Sequence, residues 1–168
     1  DGWLRAVAAA AALGAGDRDT ARGEVQRLDT AIALQRRGDL AIQHYLRGWL
    51  ASLDGDAEAA LREARSAVAL AAETGLPWLE CLARAALARC SAPARDRRGS
   101  EAQLRIAEAL AEAQRSGWLQ FCVNLAAAES ALALGDESLA LSPLRRAFAL
   151  GREHGFRHAP WWRQRETA

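Results

Sequence analysis

An all-α fold of about four antiparallel helix pairs, stacked side by side, is what this sequence predicts, on three observations. Alanine makes up roughly a quarter of the chain while β-branched and aromatic residues are sparse, a bias toward helix and against strand. Gly-Asp recurs at Gly16-Asp17, Gly55-Asp56 and Gly135-Asp136, at separations of about one and then two units of ~40 residues, the range of helical repeat arrays. Four helix tails end in glycine: 31–38, 67–75, 109–117 and 147–155.

The punctuation has a physical reading. A glycine ends one helix because it tolerates the left-handed conformation, and the aspartate starts the next by accepting free backbone N–H groups. The absent member of the Gly-Asp series falls in 94–100, where Ser100-Glu101-Ala102-Gln103 reads as a capping box. Between these marks the 3.6-residue periodicity predicts helices over 2–14, 18–37, 40–54, 57–74, 77–91, 100–116, 118–134 and 137–154, and a short one over 160–166. Pro77 and Pro160 suit a first helical position. Pro143 falls inside a predicted helix and should kink or restart it. One helix pair cannot bury its apolar stripe alone, so neighbours must stack. The whole of 1–168 reads as a single repeat domain with turns near 14–17, 54–56, 92–100 and 134–136.

Composition narrows the function. At 168 residues and 51% hydrophobic content the chain supports a core, and 22 basic against 21 acidic residues, a net charge of +1, give no field to draw nucleic acid or a membrane surface. All the basic residues are arginine, a bias expected of a GC-rich bacterial genome. No stretch approaches the ~20 apolar residues of a membrane span. The run Trp3–Leu13 mimics a secretory signal but is nearly pure alanine and fits the repeat as an ordinary helix. Three scattered cysteines suit a reducing cytoplasm better than a disulfide framework. Beginning at Asp1 and lacking methionine, the sequence is expected to be part of a longer protein.

Gly48, Gly55, Ala60 and Ala67 form a pattern that resembles the tetratricopeptide repeat: a small residue midway in the first helix, a turn glycine, then small residues on the second. Ala9, Gly16, Ala21 and Leu28 make a looser copy, and Ala128, Gly135, Ala140 and Ala147 another. The period is ~40 rather than 34, and consensus aromatic positions are often alanine. This longer, alanine-rich style, with Glu73-Thr-Gly-Leu-Pro-Trp78, is similar to the sensor region of LuxR-type, maltose-regulator-like bacterial transcriptional activators. The resemblance implies a right-handed α-α superhelix and a cytoplasmic, non-catalytic recognition domain of a transcriptional regulator. Its partner would be a protein segment or a small effector.

Catalytic chemistry is sparse. Gly14-Ala-Gly16 lacks the third glycine and the strand of a dinucleotide loop, and no Walker A sequence occurs. His154 and His158 have a helical metal-pair spacing, but Gly155 and Pro160 interrupt the helix, so no metal is expected. Cys81, Cys90 and Cys122 read as small buried apolar residues, the first and last on adjacent helices. No cofactor and no enzymatic activity are predicted. Arginines and aromatics between Arg145 and Arg165 could grip a single strand, but they spread round more than one helix face, and direct nucleic-acid binding is not expected.

What remains is surface. Groove-facing candidates are His44, Tyr45 and Trp49 in one repeat, Arg84 and Arg89 in the next, Asn124 and Glu129 in the one after. His44, Arg84 and Asn124 recur at equal spacing and should form a polar ladder across neighbouring helices. Tyr45 and Trp49 alternatively fill the gaps between helices. Trp161 and Trp162 either close the last repeat or offer a surface for a further repeat or a second copy, so a structural, self-associating homodimer module is the rival to ligand recognition.

Overall fold

Four turns of one construction set the period of the chain. In the computed structural model, which describes residues 2–31 and 36–161, the left-handed residue of each turn is Gly16, Gly55, Arg95 or Gly135, with φ of +77°, +83°, +61° and +79°. Each donates its N–H three residues back, to Leu13, Ser52, Ala92 and Leu132, and the following aspartate donates to the carbonyl five residues back. This is the paired C-terminal lock of a helix ended by a left-handed residue. Asp17, Asp56, Asp96 and Asp136 then accept the backbone N–H groups of Thr20, Ala59, Gly99 and Leu139 at 2.9–3.1 Å, opening the next helix.

Eight helices and no strand result among the described residues: α1 (Gly2–Ala15), α2 (Arg18–Ala31), α3 (Arg37–Asp54), α4 (Ala57–Glu73), α5 (Pro77–Ser91), α6 (Arg97–Ala113), α7 (Gly117–Ala133) and α8 (Glu137–His154). The chain is all-α, as predicted. They form hairpins α1–α2, α3–α4, α5–α6 and α7–α8, grouped in two compact units, residues 1–75 with 160–168, and residues 76–159. Inside each unit the packing is the same. The first helix of the second hairpin lies against both helices of the first: α3 on α1 and α2, and α7 on α5 and α6.

The small residues of the repeat pattern explain how closely the helices approach. Ala9, Ala21, Gly48, Ala60, Ala67, Ala128, Ala140 and Ala147 are all buried. The third copy, which the sequence pattern left blank, is Ala88, Arg95, Ser100 and Ala107, and its helical members are fully covered. Two expectations about this copy are therefore corrected. Ser100 is no cap: α6 starts at Arg97 under the Asp96 cap, and Ser100 sits in the helix interface, donating its hydroxyl to the Ala88 carbonyl at 3.0 Å. Gly117 does not end a helix either. Arg115 takes the left-handed conformation there (φ +49°), in register with Gly75 and Gly155, and Ser116 caps α7.

Two further boundaries differ. Gly38 falls inside α3 rather than after a helix, and α8 runs unbroken through the buried Pro143. The short helix expected over 160–166 lies almost wholly outside the described residues. No helix is long and apolar enough to cross a membrane among the described residues.

Candidate functional site

The equal spacing of His44 and Arg84 is real, but it points inward. In three hairpins the first helix clasps its own second helix through a polar pair nineteen residues apart: Arg5 to Glu24 at 3.3 Å, His44 Nδ1 to Glu63 at 2.7 Å, and Arg84 to Gln103 at 2.8 Å. Arg84 also donates through Nε to Glu80 at 2.8 Å. Pairs at such part-buried positions satisfy their charges only if both members stay. For His44 and Arg84 the expected ladder of groove-facing groups is thus corrected: these are the clasps of their own hairpins. In the fourth hairpin the partner position is Pro143, which offers no polar side chain, and Asn124 donates to the Gln120 carbonyl of its own helix at 2.8 Å.

Tyr45 and Trp49 are core residues, 7% and 3% exposed, so neither offers a recognition face; the gap-filling alternative describes them. Arg89 and Glu129 come together across α5 and α7 as an ion pair, with the Arg89 side chain 10% exposed. Since these two occupy equivalent positions in successive repeats, one candidate satisfies the other.

Trp161 is also buried, not an open interface. Within the first unit its ring meets Tyr45 edge-on, with centroids 5.8 Å apart, and lies over Gly48, where an added Cβ would come within 3.1 Å of it. The position has two costs. Trp161 adopts φ +69°, which costs an L-residue about 1–2 kcal/mol. Its indole N–H is buried without an acceptor, a loss of about 1–3 kcal/mol. Trp162 lies outside the described residues.

Burial pushes the thiols of Cys81, Cys90 and Cys122 up to about 12, so all three stay protonated at neutral pH and are poor nucleophiles. Cys81 donates to the Ala107 carbonyl at 3.4 Å. Among the described residues no group of three or more His, Cys, Asp or Glu side chains could hold a metal ion. His154 packs against the Phe156 ring at 5.3 Å, and His158 is exposed.

The second unit contains one feature that sequence reading missed. A cleft of about 370 Å³ opens between α6, α7 and α8. Glu108 and Glu112, one turn apart on α6, face Gln120 and Asn124 of α7, with Arg146 and Glu153 of α8 on the far wall. Val123, Ala111 and Leu150 supply its apolar part. Its volume is in the range of small-molecule pockets. The signal was present in the sequence: hairpin four lacks the clasp of the other three, because Pro143 stands nineteen residues after Asn124. Comparison with known protein families, curated proteins and solved structures finds no match to this chain.

Proposed function

We propose that this chain is a tetratricopeptide-like recognition domain without catalytic activity, serving in a cytoplasmic bacterial transcriptional regulator and binding a small effector or a protein segment. The observation that carries the reading is the cleft of the second unit. In the other hairpins Arg5, His44 and Arg84 are spent on clasps, whereas here carboxylates, amides and an arginine converge on one volume. A right-handed superhelical stack of the hairpins is the architecture this reading assumes. The recurrence of one turn and one packing mode in both units supports it. An effector that binds one arrangement of the hairpins more tightly than another would shift the activity of attached domains by that difference in affinity.

The test is thermal. The melting temperature of the chain is measured against a panel of amino acids, amines, nucleotides and sugars, and a true effector raises it with concentration. Arg146→Ala should abolish the rise while leaving the unliganded melting temperature within a degree or two, because Arg146 is exposed. A rise that persists in Arg146→Ala moves the site away from the cleft.

A second reading, self-association, is favoured by α1 rather than by Trp161. Leu4 and Val7 are 71% and 49% exposed, whereas the residues in register with them on α7, Val123 and Ala126, are 1% and 0% exposed. Trp3 extends this uncovered apolar stripe. Light scattering decides it: a concentration-dependent dimer lost in Leu4→Ser/Val7→Ser establishes self-association, and a monomer at all concentrations excludes it.

A further inference from the structure

We propose that the slot over Gly48 on α3 is a docking site for an aromatic side chain of a partner peptide, and that Trp161 is its built-in, displaceable occupant. The inference goes beyond the cleft reading, concerns the other unit, and rests on that reading only in taking the domain to be one that recognises segments. Four observations point the same way. The slot is shaped for a flat ring: Gly48 is buried in mid-helix, and a Cβ there would stand 3.1 Å from Cη2 and 3.4 Å from Cζ2 of the indole. Tyr45 supplies an edge-on wall at 63° to that ring, a favourable aromatic geometry. One wall is tied independently of the ring: Glu63, whose Cβ borders the slot, is clasped to His44 across the hairpin. The occupant itself is held at a disadvantage, in a left-handed backbone conformation and with an indole N–H that finds no acceptor.

A slot filled by a compromised ligand favours exchange. Trp161 is tethered, so it competes at the high effective concentration of an intramolecular ligand, millimolar for a short connection. A partner segment enters when it presents a ring without the same backbone strain or the same orphaned N–H. The chemistry of the partner follows from the slot: a peptide whose aromatic side chain inserts between Tyr45 and the Gly48 backbone.

The experiment supplies the occupant in trans. A synthetic peptide with the sequence of residues 157–161, and a control with alanine in place of tryptophan, are titrated into the full chain and into its Trp161→Ala variant. Binding is followed by the backbone amide resonances of Tyr45 and Gly48. The expected result is saturable binding to Trp161→Ala, at least tenfold weaker binding to the unaltered chain, and none by the control peptide. Equal binding to both chains, or no binding to a folded Trp161→Ala chain, overturns the proposal. So does loss of helical circular dichroism in Trp161→Ala, since an occupant whose removal unfolds the protein is core. Gly48→Val with Trp161 intact gives an independent reading. The 19F resonance of a fluorotryptophan at 161 should move to its solvent-exposed position while the helical signal persists, and a resonance that stays put overturns the slot. The Arg146→Ala effector test is untouched by any of these outcomes.

Discussion

The two units solve the same packing problem with different residues. In the first, the left-handed residues that follow its helices are glycine, at Gly16, Gly55 and Gly75, and Trp161 alone among the other described residues is left-handed; in the second, Arg95 and Arg115 share the turn role with Gly135 and Gly155. In the first, both hairpins carry the nineteen-residue clasp, Arg5–Glu24 and His44–Glu63; in the second, only α5–α6 does, and an ion pair runs between hairpins, from Arg89 to Glu129. All three cysteines lie buried in the second unit. The period of the turns is therefore the conserved demand of the architecture within this chain, while the residue that meets it is free to vary. Where a clasp is absent, polar groups are left to line a cleft.

The largest effect should separate the two kinds of polar tie. Glu129→Ala leaves the Arg89 guanidinium, with a side chain 10% exposed, without its carboxylate, and should cost about 3 kcal/mol. Arg5→Ala removes a clasp whose arginine is 38% exposed, and should cost less than about 1 kcal/mol. Thiol labelling gives a reporter confined to the second unit. Cys81, Cys90 and Cys122 should react only when that unit opens, and Glu129→Ala should speed the reaction by about a hundredfold, the rate equivalent of 3 kcal/mol. Labelling that is fast in the unaltered chain would show that burial does not protect these thiols.

Next in size is the turn comparison. Arg95→Gly and Arg115→Gly relieve an L-residue of the left-handed conformation and should each stabilise the protein by about 1 kcal/mol in urea unfolding. Gly135→Ala, at φ +79° with open space around its added Cβ, should destabilise by about the same amount through backbone strain alone. If Arg95→Gly destabilises instead, the arginine side chain contributes something beyond the turn.

The same comparison shows what the sequence made legible. Turns at Gly16, Gly55 and Gly135 could be read from residue type, because glycine and aspartate each have a local reason to be there. Arg95 could not, since an arginine carries no local mark of a left-handed backbone. Only the ~40-residue register points to it, and the capping box at Ser100 offered a plausible local distraction. The ladder of His44, Arg84 and Asn124 was legible as a period but not as a direction. Which face of a helix meets its neighbour is decided by residues nineteen positions away, across a turn, and a one-helix pattern does not contain them. Tyr45 and Trp161 illustrate the limit more sharply. Their ring contact joins residues more than a hundred positions apart and depends on the missing side chain of Gly48.

The smallest expected effect lies in acid, and it compares one cap from each unit. Asp17 is held below the ordinary carboxylate range chiefly by hydrogen bonding from Thr20, and Asp136 by the Leu139 backbone N–H and then the Ser138 hydroxyl. Because the folded value of each is depressed, each contributes stability that is present above the unfolded carboxylate value of about 4. That contribution is lost as pH falls through the lower folded value. Asn can cap a helix as well as Asp, so Asp17→Asn and Asp136→Asn remove the charge and keep the cap. Each variant should melt below the unaltered chain at pH 6, and the gap should close as the pH falls below about 4. A gap that stays constant through that range would mean that the carboxylates act as hydrogen-bond acceptors alone, with no charge-dependent share in either unit. A gap that closes in one unit only would show that the two caps, alike in geometry, differ in how far their surroundings favour the ionised form.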